Sequence, residues 1–209
     1  MTWQEFEQQF SIQLNEQQKQ AVQTVEGPVL LLAVPGSGKT TVLVTRLGYM
    51  IHCKGIDPRR ILTVTYTVAA TKDMAARFAA KFGPELAEQL EFRTINGICA
   101  KVLQYYGYRT GKTPHQLLND EKRIAGILAE IYQRVERVYP TDGDLKNIRT
   151  LITYIKNMML NEDEIEALDE GAECKISVIY REYCSKLKEL QMIDYDDQMV
   201  YAYVMLKKI

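Results

Sequence analysis

The sequence predicts an α/β fold: a parallel sheet with helices on both faces, into which an all-helical subdomain is inserted. Three observations predict it. Val29-Leu30-Leu31-Leu32-Ala33 is an apolar run of buried-strand length, ending in a Pro/Gly/Ser turn and followed by helical spacing at Val42, Leu43, Arg46, Leu47 and Met50. Strand followed by helix recurs at Ile61–Thr65 and at Glu91–Ile95, the order of a parallel α/β sheet. Around Gly107–Pro114 glycine and proline cluster, the strands stop, and helical periodicity runs from Asn119 to about Leu190.

Taken in order, residues 2–9 predict a short amphipathic helix with Trp3, Phe6 and Phe10 near one face. Asn15 is a good N-cap for the next helix, and Gln18 three residues later completes a capping box. Gly27-Pro28 turns the chain into the first strand. After the following helix, Gly55-Ile56-Asp57-Pro58 makes a turn before the second strand. Tyr66-Thr67 lead into a helix that runs to about Ala80. The third strand is followed by Asn96-Gly97 and a helix through Cys99, Val102 and Leu103. Four helices are expected in the insertion: 119–138, 144–159, a short one near 163–168, and 172–190. Ile124, Ile127, Leu128, Ile131, Tyr132 and Val135 fall at helical spacing and read as its core. At Asp194-Tyr195-Asp196-Asp197, Asp194 reads as an N-cap with acids in the first helical turn. Three aspartates in four positions also suggest a metal site, but they lack the spacing of a calcium loop.

Composition narrows the function classes. The chain has 209 residues, 46% apolar and 25% charged, enough for a real core in one large or two small domains. It has no apolar run of about 18 residues, so no membrane span is expected. The first residues have neither a basic nor an apolar leader region, so no signal peptide is expected. Cys53, Cys99, Cys174 and Cys184 form no C-x-x-C pair, which points away from zinc and disulfides and toward small apolar residues in a reducing cytosol. His52 and His115 are isolated and receive no chemical role. The net charge of −1 argues by itself against a nucleic-acid binder. Its distribution says more: Gly36 to Lys112 carries 12 basic and 5 acidic residues, a net +7, against −8 elsewhere. A basic stretch of that kind is the footprint of a polyanion partner, or a solvated helix surface.

The motif with the most chemistry is Ala33-Val34-Pro35-Gly36-Ser37-Gly38-Lys39-Thr40-Thr41. Strand, small-residue loop, then a helix opening on Lys-Thr is the phosphate-binding loop of nucleoside triphosphatases. Gly36 and Gly38 let the backbone curl so that its N–H groups converge on phosphate oxygens, and the positive end of the next helix points at the same anion. Lys39 has the reach for terminal phosphates, and Thr40 places a hydroxyl where Mg²⁺ would sit. The bland reading is a Gly/Pro turn after a buried strand with Lys39 solvated.

In order along the chain, several segments resemble superfamily 1 DNA helicases of the UvrD/Rep/PcrA type. Leu14-Asn15, Gln18 and Ala21-Val22 match the family's Q motif, which implies that Gln18 reads adenine. The family's loop commonly begins with alanine, as at Ala33. Thr41 stands where many members have an arginine that contacts nucleotide. Thr65-Tyr66-Thr67, Asp73-Met74 and Arg77 match the Thr-aromatic-Thr motif, with Val68-Ala69 in place of Asn-Lys. There the aromatic residue lies along single-stranded DNA, so the resemblance implies that Tyr66 stacks on a base; a core aromatic at a strand end is the alternative. Arg93-Thr94-Ile95-Asn96-Gly97-Ile98-Cys99 resembles the next motif, with Asn96 for the usual histidine. Thr94 and Asn96 would bond a DNA backbone, with Thr65 at the neighbouring strand end.

The resemblance implies a RecA-like, P-loop NTPase motor domain from residues 1–108 and 191–209, with an accessory helical domain at 109–190. It implies ATP and Mg²⁺ as ligands, and single-stranded DNA and single/double-strand junctions as partners. Other repair proteins are possible partners, no membrane is involved, and the location is cytoplasmic. The family's Walker B carboxylates, its arginine fingers and its second motor domain are not found by Ile209. The expectation is an N-terminal fragment of a 3′-to-5′ helicase of DNA repair or recombination that does not turn ATP over by itself. A subunit of the RecB/AddA helicase-nuclease kind and a non-motor nucleotide-binding or interaction module are the alternatives.

Overall fold

The computed structural model describes residues 1–208. The chain is a mixed α/β protein, mostly helical, with two small parallel sheets. It divides into two compact units, one from Met1 to Ile95 and the other from Asn96 onward.

In the first unit, α1 (Trp3–Gln9) is closed by a reciprocal Thr2/Glu5 capping box and α2 (Glu16–Gln23) by the predicted Asn15/Gln18 box. Then come α3 (Lys39–His52), a 3-10 turn at Pro58–Arg60, β1 (Leu62–Thr65), α4 (Val68–Phe82), α5 (Pro84–Ala87) and β2 (Glu91–Thr94). Strands β1 and β2 pair in parallel from Leu62 opposite Glu91 to Thr65 opposite Thr94. The core gathers Phe6, Val22, Val42, Leu47, Met74 and Phe78. Helices α3 and α4 approach closely because Gly48 has no side chain: a Cβ there would lie 2.2 Å from the Phe82 ring. Phe82 in turn stacks on Phe6 with centroids 5.9 Å apart.

The strand expected at Val29–Ala33 is not formed, and the sheet is smaller than the sequence predicted. From Thr24 to Gly38 there is neither helix nor ladder. Leu30 and Leu32 are each 82% exposed, and Val34 is 71% exposed. A strand exists only with a partner to take its N–H and C=O groups. Among the described residues β1 has β2 on one edge and no strand on the other.

In the second unit, α6 (Ile95–Thr110) starts at the end of β2, so Asn96-Gly97 lie in its first turn and not in a separate break. The expectation that strands stop after Gly107 is also corrected. A short β3 (Gln116–Leu117) pairs in parallel with β4 (Met192–Ile193), on either side of the helical segment in sequence. Between them run α7 (Glu121–Glu136), α8 (Asp142–Met158), α9 (Glu162–Ala167) and α10 (Ile176–Glu189): α7 and α10 are inset from their predicted bounds, while α8 and α9 each begin and end one or two residues earlier than predicted. Ile124, Leu128 and Ile131 of α7 join Ile148, Ile152 and Ile155 of α8 and Ile179, Tyr183 and Leu187 of α10 in one core. Last comes α11 (Tyr195–Lys207), capped by Asp194 with Asp197 completing the box.

Lys156 of α8 was not singled out by its sequence position. Its side chain is only 3% exposed, and its ammonium pairs with Asp194 at 2.7 Å and Asp197 at 2.8 Å. The Tyr183 hydroxyl donates to the same Asp194 carboxylate, 3.2 Å away. Thr153 and Asn157 of α8 donate to Asp196. The acidic run therefore holds the start of α11 onto α8.

Candidate functional site

The phosphate-loop residues come together at the start of α3. The chain turns through Val34–Ser37, with the Ser37 N–H and Oγ–H both donating to the Val34 carbonyl at 3.2 and 2.7 Å. Gly36 and Gly38 sit at φ +81° and +82°, the left-handed region that the loop chemistry requires. The Lys39 ammonium lies back along the loop, donating to the carbonyls of Ala33 at 3.1 Å and Val34 at 2.9 Å. An ammonium has three N–H donors, so one remains for an anion. No side chain caps the start of α3, and its first turn contains no acid. The amides of Lys39, Thr40 and Thr41 thus open a 14-residue helix whose positive end has no built-in counter-charge.

Gln18 serves the cap and the loop at once. Its Oε1 accepts from the Asn15 N–H at 3.0 Å, and its Nε2 donates to the Ser37 carbonyl at 3.1 Å. The second Nε2 hydrogen is left for a ligand. An open cavity of about 740 Å³ lies between α2 and the loop. Asn15, Gln18, Leu31, Ala33, Ser37 and Lys39 line it, and its lining holds no Asp or Glu. Arg46, which the sequence placed only as one of the helical spacing positions, donates from α3 to the carbonyls of Ala21 and Thr24. It ties the end of α2 to the helix that follows the loop, and no local signal marks it. Thr41 is exposed.

The strand ends form a second cluster. Thr65 and Thr94 are directly paired at the carboxyl ends of β1 and β2. The Thr65 hydroxyl lies 2.5 Å from that of Thr71 and donates to the Thr67 carbonyl. The Thr67 hydroxyl accepts from the Ala70 N–H and caps α4. Tyr66 is 91% exposed, which removes the core-aromatic alternative. Val68, in the place of the family's asparagine, is 62% exposed. Asn96 belongs to the other compact unit. Its carbonyl accepts from the buried Gln198 amide at 2.9 Å, and its side-chain Oδ1 is buried without a hydrogen-bond partner.

The remaining candidates are quiet. Burial beside carboxylates pushes the Cys174 thiol up to about 11, and burial raises the other three cysteines as well, which makes them poor nucleophiles. No helix among the described residues is long and apolar enough to cross a membrane.

Comparison with known proteins places the chain among helicases. The UvrD/REP helicase N-terminal domain family matches residues 14–208. The chain is 31% identical to the ATP-dependent DNA helicase PcrA of Bacillus subtilis, over 88% of this chain and 25% of that protein. It is 29% identical to the PcrA of Leuconostoc citreum, over the same shares. To the putative ATP-dependent DNA helicase YjcD of Bacillus subtilis it is 32% identical, over 92% of this chain and 25% of that one. The chain spans about a quarter of the length of these relatives. By its match across nearly its whole length, the chain belongs to the UvrD/REP helicase N-terminal domain family.

Proposed function

We propose that the chain is the ATP-binding first motor domain, with its helical accessory domain, of an ATP-dependent DNA helicase that translocates on single-stranded DNA and unwinds duplex. The observation that carries this is the gathering of Gln18, Ala33, Val34, Ser37 and Lys39 around one cavity beside the uncapped start of α3. In this reading the triphosphate lies against the amides of Gly36 to Thr41, and the Lys39 ammonium turns from the Ala33 and Val34 carbonyls toward it. Gln18 meets the base with its remaining N–H. The Thr40 hydroxyl is the group that would hold Mg²⁺, which when bound neutralises phosphate charge. Tyr66 lies along the DNA strand, with Thr65, Thr94 and Asn96 bonding the DNA backbone.

Residues 1–108 and 191–209 are assigned to the motor domain and 109–190 to the accessory domain. Pairing of β3 with β4 supports this, because it brings the entry and exit of the helical segment side by side. Movement 3′ to 5′, work in repair or recombination and a cytoplasmic location rest on the resemblance. The chain alone is proposed to bind nucleotide without turning it over. No carboxylate that could orient an attacking water lines the cavity.

Calorimetric titration with a magnesium–ATP analogue, beside Lys39→Ala, tests the site. Binding by the wild type that Lys39→Ala abolishes is the expected result. Equal binding by both proteins would remove the loop from the mechanism. A hydrolysis rate in pure protein that Lys39→Ala eliminates would overturn the inactivity of the isolated chain.

A further inference from the structure

We infer that the outer face of α6 is a further contact for single-stranded nucleic acid, made by Tyr105, Tyr108, Arg109 and Lys112. The inference rests on the DNA-binding reading above and adds a site on α6, in the second compact unit. Tyr105, Tyr108 and Arg109 are spaced i, i+3 and i+4, which places them on one face of the helix, and Lys112 follows just past its end, after the left-handed turn at Gly111. All four are exposed, Tyr105 at 58% and Tyr108 at 86%. The helix is held from its other side, where Leu103 and Gly107 are buried. Among the described residues neither tyrosine ring stacks on another ring, and Arg109 and Lys112 form no ion pair.

Charge selects the occupant. From Asn96 to Asn119 there is no Asp or Glu, while Lys101, Arg109 and Lys112 lie in that stretch. The chain elsewhere is rich in acid, with 27 Asp and Glu in all. Two other exposed tyrosines of this unit have different neighbours: Tyr195 sits between Asp194 and Asp196, and Tyr203 has the Lys207 ammonium 5.1 Å from its ring centroid. Arg109 and Lys112 also offset the negative end of the helix dipole. That role needs no aromatic, and it leaves two large rings in water unexplained. Unstacked bases over the tyrosine rings and phosphates on the two cations account for both. A duplex keeps its bases stacked on one another and would use only the cations, so the rings favour a single strand.

The test is fluorescence anisotropy with a labelled oligo(dT) of about 20 nucleotides, a length that spans several stacking sites. Tyr105→Ala with Tyr108→Ala is expected to weaken binding about tenfold or more, and the corresponding double Phe variant to keep it, since the ring does the stacking. Arg109→Gln with Lys112→Gln is expected to flatten the dependence of log affinity on log salt by about 1 to 2 units of slope. An alanine pair that binds like the wild type overturns the inference. So does a charge pair that weakens a duplex probe as much as the single strand while the tyrosine variants change neither. Tyr66→Ala run beside them separates the two readings. If only that variant loses binding, the strand-end site stands and the α6 site falls. A wild-type chain that leaves the oligonucleotide free at low salt removes both.

Discussion

The two compact units differ in what they leave in water. In the first, the exposed large apolar side chains are mostly aliphatic: Leu30, Leu32 and Val34 on the irregular segment before the phosphate loop, Leu62 and Val64 on β1. In the second they are mainly tyrosines and methionines on helices, while Ile124, Leu128, Ile148, Ile155 and Ile179 are almost completely covered. A helix satisfies its own backbone and needs a neighbour only for its apolar stripe, which an adjacent helix in the chain can supply. A strand needs partners along its edges and layers on its faces, and these come from distant sequence. The helical unit is thus closed over its core, whereas the loop-bearing unit presents aliphatic surface suited to further sheet or a covering layer.

The largest expected effect breaks the closed unit from inside. Lys156→Met removes the cation that pairs with both Asp194 and Asp197 and leaves two largely buried carboxylates without that partner. A loss of about 3–5 kcal/mol is expected, the range for breaking a buried ion pair from one side. Burial already holds the Asp197 carboxyl above the usual carboxylate range, so part of that cost is relieved if it takes up a proton. Urea unfolding followed by helix circular dichroism reads the loss. A loss below about 1 kcal/mol, the scale of a surface pair, would show the cluster to be hydrated.

The opposite case sharpens the comparison. Leu30→Lys with Leu32→Lys changes two side chains that are 82% exposed. Stability is expected to stay within about 0.5 kcal/mol of the wild type, as for surface positions, while binding of a hydrophobic dye falls. A loss of several kcal/mol in the same urea experiment would mean that these leucines are covered in solution and that the open face does not exist.

The same contrast sets what could be read from sequence. The helices of both units were legible because their signals are local. Asn15 with Gln18 announced a capping box and Asp194 an N-cap; the first box forms as expected, and Asp197 completes a second box with Asp194. The turn at Gly36 and Gly38 was legible for the same reason. The run Val29–Ala33 has strand composition, yet composition does not supply a ladder partner, and among the described residues it has none. Lys156 reads as an ordinary exposed helix lysine, since its partner Asp194 lies 38 positions on. Arg46 is likewise marked only by the carbonyls of Ala21 and Thr24, more than twenty residues earlier. Gln18 was legible as a cap; its contact with the Ser37 carbonyl needs the folded loop.

The smallest effect concerns His52, to which the sequence assigned no role. Its ring lies 4.7 Å from Phe10 and 5.8 Å from Phe82 between centroids, and its Nε2 is buried with no hydrogen-bond partner. Burial among these rings, with a smaller contribution from the positive N-terminus, holds its pKa below the ordinary value of 6.5. The unfolded chain therefore takes up the proton first as pH falls. The stability contributed by the neutral ring is fully present above the unfolded value of 6.5 and is lost as pH falls from there through the lower folded value. The first unit should melt at a lower temperature at about pH 5.5 than at about pH 7.5, with a smaller difference in His52→Leu. The side chain is only partly buried, so the shift is expected to be modest in the wild type. An identical pH dependence in the two proteins would mean that the ring reaches water and that carboxylates, not His52, govern the acid limb of this unit.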